Sequence, residues 1–173
     1  VMEGKNILII TGGVGLAAVR FLIDHLLKNR SRYNRIELLH GARTPEDIIY
    51  QRSDLFDKEE GKKCGLEVKM CVDKADELWK GKVGLVTDLL LFNEIKGENG
   101  IGVVCGPTIM MKKASSELRK MGFNEDRIFF SMERRMQCGM GMCGHCMIGQ
   151  YHVCVDGPVL PYALAKSALD NFL

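Results

Sequence analysis

Four cysteines near the end of the chain, Cys138, Cys143, Cys146 and Cys154, follow the spacing C-x4-C-x2-C-x7-C. The C-x4-C-x2-C…C arrangement is the plant-type 2Fe–2S pattern. A loop that wraps a compact, negatively charged inorganic core is expected to draw three ligands from one turn and the fourth from a neighbouring strand. Gly139, Gly141 and Gly144 lie between the ligands, where positive φ would turn backbone N–H groups toward sulfide. Met136, Met140, Met142 and Met147 would form a polarizable, water-excluding cover. Zinc is a competing reading, but a structural zinc site usually presents two C-x2–4-C pairs and the second is missing. His145 and His152 are conceivable ligands, although His145 falls inside the C-x2-C turn, with its ring expected to point outward. A redox disulfide is a third reading. The spacing favours the two-iron cluster.

A second motif lies at the other end. Thr11-Gly-Gly-Val-Gly-Leu-Ala-Ala18 contains Gly13-x-Gly15-x-x-Ala18, which fits the G-x-G-x-x-G/A dinucleotide fingerprint. It follows an expected strand and opens an expected helix, whose N-terminus would meet a pyrophosphate. A plain tight turn is the alternative. The second strand ends in His40-Gly-Ala-Arg43 and lacks the acidic residue typical of NAD-binding Rossmann domains. Arg43 there suits a phosphate or an adenine ring, or is simply a solvated surface residue. Cys105-Gly-Pro107 follows a later strand, at the carboxyl end where ligands bind; Cys105 is otherwise a buried core thiol.

Alternating strand and helix signals position these motifs. Asn6–Ile10 is a continuous apolar run, as expected for a strand buried on both faces. Val14–Asn29 has helical spacing. Strands are expected at Arg35–Leu39, Leu66–Val72, Ile101–Cys105 and Arg127–Ser131. Helices are expected from Thr44, capped by Thr44 with Pro45 and Asp47 in the first turn, to about Glu60; at Thr87–Ile95; and at Thr108–Met121. This order predicts an α/β fold with a doubly wound, five-stranded parallel sheet. The pattern stops at Ser131. A boundary is placed there, between a nucleotide-binding domain over 1–131 and a cluster-binding segment over 132–173 that ends in a short amphipathic helix, Pro161–Leu173.

Composition sets limits. The 173 residues carry 46% hydrophobic and 27% charged residues and a net charge of +2, which fits a globular domain. The charge balance gives no reason to expect nucleic acid or a membrane surface as partner, and no apolar run approaches the ~18 residues of a membrane span. Seven cysteines without a signal-like start point to reduced thiols and a cytoplasmic location. Val1 precedes Met2 and the chain enters a core strand within a few residues, which suggests a piece of something longer.

Together these residues resemble the ferredoxin–NADP reductase superfamily, and within it the electron-transfer subunits of dihydroorotate dehydrogenase B and the gamma subunits of NiFe (sulf)hydrogenases. The resemblance covers nearly the whole chain. It rests on Gly12-Gly-Val-Gly-Leu16, Gly41-Ala-Arg-Thr-Pro-Glu-Asp47, Gly84-Leu-Val-Thr87, Cys105-Gly-Pro107, Met132-Glu-Arg-Arg-Met-Gln-Cys-Gly-Met-Gly-Met-Cys-Gly-His-Cys146 and Asp156-Gly-Pro158. It implies that Gly12, Gly13 and Gly15 face the pyrophosphate of NAD(P) and that Gly41 and Arg43 contact its adenosine half. Cys105, Gly106 and Pro107 would lie beside the nicotinamide, and Glu133 near the flavin of FAD. Ala18 stands where relatives commonly have proline. The family's FAD-binding barrel, with its Arg-x-Tyr-Ser/Thr motif, is expected ahead of this domain, and the motif does not occur here. The barrel was removed, or lies on another chain, or this homologue works without it.

The implied activity is that of an oxidoreductase subunit. NAD(P)H, a flavin and the 2Fe–2S cluster would form a relay to or from a partner oxidoreductase such as a hydrogenase or a dihydroorotate dehydrogenase. The alternatives are an electron carrier or docking module with a degenerate nucleotide site, and a zinc-stabilised interaction module.

Overall fold

The computed structural model describes residues 5–50 and 65–170. Its centre is a seven-stranded sheet in the order β4-β3-β2-β1-β5-β6-β9. The strands are β1 (Asn6–Gly12), β2 (Ile36–Ala42), β3 (Leu66–Val72), β4 (Lys82–Val83), β5 (Gly100–Cys105), β6 (Ile128–Ser131) and β9 (Val159–Pro161). All neighbours pair parallel except β6 and β9, which are antiparallel. The five expected strands are present. The two further strands are a two-residue edge at 82–83 and a three-residue strand from beyond residue 131, so the sheet is mixed and not purely parallel.

Helices cover both faces. Helix α1 (Gly15–Lys28) buries Leu16, Val19, Ile23 and Leu26, residues at the 3–4 spacing of one helical stripe. They pack on Ile7, Ile9, Ile36, Leu38, Ile101 and Val103. Helix α2 (Thr108–Lys120) buries Met111, Ala114 and Leu118 against Leu8, Ile10, Leu39 and Val104 on the opposite face. Successive strand residues point to opposite faces, so near-continuous apolar strands are what a sheet covered on both sides demands.

Two expected helices differ. Residues 86–92 form a 3-10 helix, and Pro45–Asp47 is a single 3-10 turn. Thr44 and Asp47 make the expected cap, with the Thr44 N–H and hydroxyl both donating to Asp47 Oδ2. Ile48 is then extended and buried against Ala42 and Val72, so the chain is pulled back to the sheet edge before a second turn forms. The expected continuation over 51–60 lies outside the described residues.

Beyond β6 the chain makes a small hairpin, β7 (Met147–Ile148) with β8 (Tyr151–His152), and a four-residue helix α3 (Val153–Asp156). Helix α4 (Tyr162–Asp170) docks on the main sheet: Tyr162 meets Phe130 edge-on with ring centroids 5.7 Å apart, and Lys166 bonds Glu125 at 2.8 Å. Cys146, Ile148, Val153 and Leu160 share one buried cluster with Val104, Phe130 and Met111. The C-terminal segment is thus continuous with the domain core. No helix among the described residues is long and apolar enough to cross a membrane.

Candidate functional site

One cleft of about 420 Å³ opens at the carboxyl end of β1, β5 and β6. In this sheet order the chain goes one way from β1 to β2 and the other way from β1's opposite neighbour β5, so the cleft lies at the topological switch point. It is lined by Gly12, Gly13, Val14 and Gly15, by Cys105, Gly106, Pro107 and Thr108, and by Ser131 to Arg134 with Met111 and Ile148. Three segments far apart in sequence therefore converge. The first turns of both α1 and α2 border it, and free N–H groups at helix N-termini favour a phosphate.

The turn is built for close approach. Gly13 has φ +53° and donates its N–H to the Gly41 carbonyl at 2.8 Å. A side chain on Gly15 would place Cβ 2.5 Å from the Cys105 carbonyl oxygen, so this glycine lets α1 start against the end of β5. Gly41 is buried, with Val86 Cβ 2.7 Å from where its own Cβ would be. It packs against Val86 and lies outside the cleft lining. Arg43 is exposed just beyond β2, and its carbonyl accepts the Lys74 N–H at 2.9 Å.

Cys105 has both expected characters. It is buried and packs in the core under α1, yet it lines the cleft. Burial pushes its thiol pKa up, while the hydrogen bond with Ser131 opposes the rise. Glu133 is exposed at the cleft mouth. Val14, Thr108, Met111, Ser131, Met132, Arg134 and Ile148 were not singled out as cleft residues by the motifs; each lies next to a motif residue or on a facing element, information that only the fold supplies.

The four cysteines are gathered in two pairs. Cys146 and Cys154 have their Sγ atoms 3.3 Å apart, and the Cys138 and Cys143 side chains are hydrogen-bonding neighbours. Among the described residues, no three His, Cys, Asp or Glu side chains converge on one point. Pairs suit two irons taking two thiolates each, whereas one zinc would need the donors around a single centre. Backbone donors surround the sulfurs. Met140 and Cys143 N–H groups donate to Cys138 Sγ at 3.5 and 3.4 Å, and Gly141 N–H donates to Cys154 Sγ at 3.2 Å. Those N–H bonds hold the Cys138 thiol below its ordinary pKa, as a thiolate ligand requires. Gly139, Gly141 and Gly144 all have φ between +71° and +76°, the conformation that aims these donors inward. His145 is exposed, as expected.

Two details differ from the sequence expectation. Cys154 comes from the short helix α3, not from a strand. The methionines are not buried: Met136, Met140, Met142 and Met147 are 49%, 65%, 80% and 38% exposed. The pairs differ in depth too. Cys146 is buried and Cys143 exposed, so the site has an inner end, sharing a buried cluster with the cleft residues Met111, Met132 and Ile148, and an outer end among methionines.

Comparison with known proteins finds two family matches. Residues 9–116 match the oxidoreductase NAD-binding domain, and residues 133–164 match the iron–sulfur cluster binding domain of dihydroorotate dehydrogenase B. The sulfhydrogenase 2 gamma subunit of Pyrococcus furiosus is 34% identical over 93% of this chain and 60% of its own. A probable dihydroorotate dehydrogenase B electron transfer subunit of the same organism is 32% identical over 91% and 55%. The chain thus spans about 60% or less of the length of these relatives. Among solved structures, an NADH-dependent reduced ferredoxin–NADP oxidoreductase studied for flavin-based electron bifurcation matches with TM-score 0.67 and 30% identity, over 96% of this chain and 58% of that one.

Proposed function

The chain belongs to the ferredoxin reductase-like oxidoreductases, joining their NAD-binding domain to an iron–sulfur segment of the dihydroorotate dehydrogenase B type, and from that premise we propose that it is an electron-transfer subunit linking NAD(P)H to a partner oxidoreductase. The observation that carries this reading is the convergence of the glycine turn, Cys105-Gly-Pro107 and Ser131–Arg134 on one cleft whose wall continues, through Ile148, into the buried cluster that holds Cys146.

In this reading Gly12, Gly13 and Gly15 receive the pyrophosphate, and the first turns of α1 and α2 supply the N–H groups. Cys105, Gly106 and Pro107 form the wall beside the nicotinamide. Arg43 meets the adenosine half from the end of β2. Glu133, at the mouth, faces the ring of an FAD. Cys138 with Cys143, and Cys146 with Cys154, hold a 2Fe–2S cluster. Such a cluster, when bound, accepts and releases single electrons, and a flavin converts between these and the two-electron hydride of nicotinamide. The protein's own contribution is to hold the groups close, exclude water from the inner end and set the electrostatics. Hydride transfer needs no side-chain acid or base, and no such residue is assigned. The exposed methionines and the outer Cys143 offer a partner a soft apolar surface. Thiolate donors of this kind suit a reducing, cytoplasmic compartment.

The test is anaerobic titration of the iron-loaded, FAD-supplemented protein with NADH and NADPH. Binding of either nucleotide, followed by bleaching of the visible cluster absorbance, is the expected result. Binding of neither favours the alternative, an electron-carrier module with a degenerate nucleotide site.

A further inference from the structure

Near the cleft, the last rung on the α1 face of the sheet breaks the chemistry of the rungs before it. On the face under α1, the central strands carry Ile7, Ile9, Ile36, Leu38, Ile101 and Val103. The next residues on that face are polar: Thr11 of β1 is in register with His40 of β2 on one side and with Cys105 of β5 on the other. Thr11 and His40 are fully buried, with Thr11 Oγ1 2.8 Å from His40 Nδ1 and 3.5 Å from the Leu39 carbonyl. A buried hydroxyl–imidazole bond adds little net stability, because it mainly offsets the desolvation of its own partners. Two aliphatic side chains would serve the core as well.

What sets this rung apart is its place. The next register pair is Gly12 with Gly41, and one residue further the Gly13 N–H donates to the Gly41 carbonyl at 2.8 Å. The Thr11–His40 bond therefore ties β1 to β2 one register pair before β1 ends at Gly12 and the turn leaves the sheet. On its other flank stands Cys105, on the cleft wall.

We propose that Thr11 and His40 are positioning residues for the nucleotide: their buried bond fixes where the glycine turn leaves the sheet, and so the aim of its N–H groups into the cleft. The inference rests on the nucleotide reading of the cleft. Neither side chain lines the cleft, so both act through the turn. A hydrogen bond has a narrow optimum in length and angle, which aliphatic contact lacks, and a binding turn needs its supporting groups held to a fraction of an ångström. His40 stays neutral in this role, its pKa driven down to about 4 by burial.

The decisive variant is the double substitution Thr11→Val with His40→Leu, which removes the hydroxyl and the imidazole of this bond together. The iron-loaded protein is titrated calorimetrically with NADH and with NADPH, while melting temperature and visible spectrum are recorded. The expected result is retained melting temperature and spectrum with nucleotide affinity lower by about tenfold, and wild-type affinity in Thr11→Ser, which keeps the hydroxyl. Unchanged affinity in the double variant overturns the proposal. So does a loss of affinity that only tracks a falling melting temperature, equally in the double variant and Thr11→Ser. A wild-type protein that binds neither nucleotide overturns the reading of the cleft, and this inference with it.

Discussion

The cleft and the cysteine loop are held in shape by different means. The cleft is the end of a sheet whose strands are buried on both faces, and the close approach of Gly15 to the Cys105 carbonyl is enforced by the packing of α1 beneath it. The cysteine loop is packed at its inner end only, where Cys146, Ile148 and Val153 are buried and Tyr151 and Cys154 lie against them. Residues 133–137 are exposed, and its hairpin strands are two residues each. Its order comes from N–H groups aimed at sulfur and from paired thiols. A site made by packing exists before its ligand arrives, whereas one made by donors depends on the metal for much of its stability. The two regions should therefore fail independently.

The largest effect is expected at the loop. Cys146→Ser should abolish the visible absorption and iron content while nucleotide affinity, read by calorimetry, stays near wild type. Loss of both together would show that the regions are not separable. The mirror experiment is Gly15→Val. The new side chain meets the Cys105 backbone oxygen at 2.5 Å, which backbone can relieve only by displacing the turn. Nucleotide binding should fall by about a hundredfold or more, with iron content and spectrum retained.

A third prediction concerns the sheet's pH response. His40 titrates near 4 in the folded protein against an ordinary 6.5. Between those values the unfolded chain binds the extra proton, so stability is full above pH 6.5 and falls as pH drops toward 4. The total is about 3 kcal/mol at about 1.4 kcal/mol per pH unit. Denaturant unfolding from pH 7 to 4 should show that slope, and His40→Leu paired with Thr11→Val should flatten it. An unchanged slope in that variant would assign the pH response to other groups. The smallest effect belongs to the outer loop: Met140→Ser with Met142→Ser should shift stability by no more than about 0.5 kcal/mol, since both side chains are exposed. A larger fall would mean that the methionines do cover the site.

What could be read in the sequence follows the same contrast. The glycine turn between a strand and a helix, and the spacing of four cysteines, are local patterns, and local patterns survive into the fold. The strand at Val159–Pro161 was not legible because three residues have no periodicity; β6 makes it a strand by offering an unpaired edge. The helix expected after Thr44 had the right cap, but Ile48 is claimed by Ala42 and Val72 across the sheet edge, which no local pattern encodes. Gly41 belonged to a recognisable motif, but its close approach to Val86, 45 positions away, is a contact that no local pattern encodes. Thr11 and His40 stood in quoted motifs without a role of their own, because their meaning is the register between two strands.

The claim on which the rest depends is that the paired cysteines hold two irons. Iron, zinc and acid-labile sulfide analysis of protein purified without oxygen, together with its visible spectrum, tests it most directly. The account predicts a brown protein with about two irons and two sulfides per chain that bleaches on reduction. A colourless protein with one zinc per chain would contradict it.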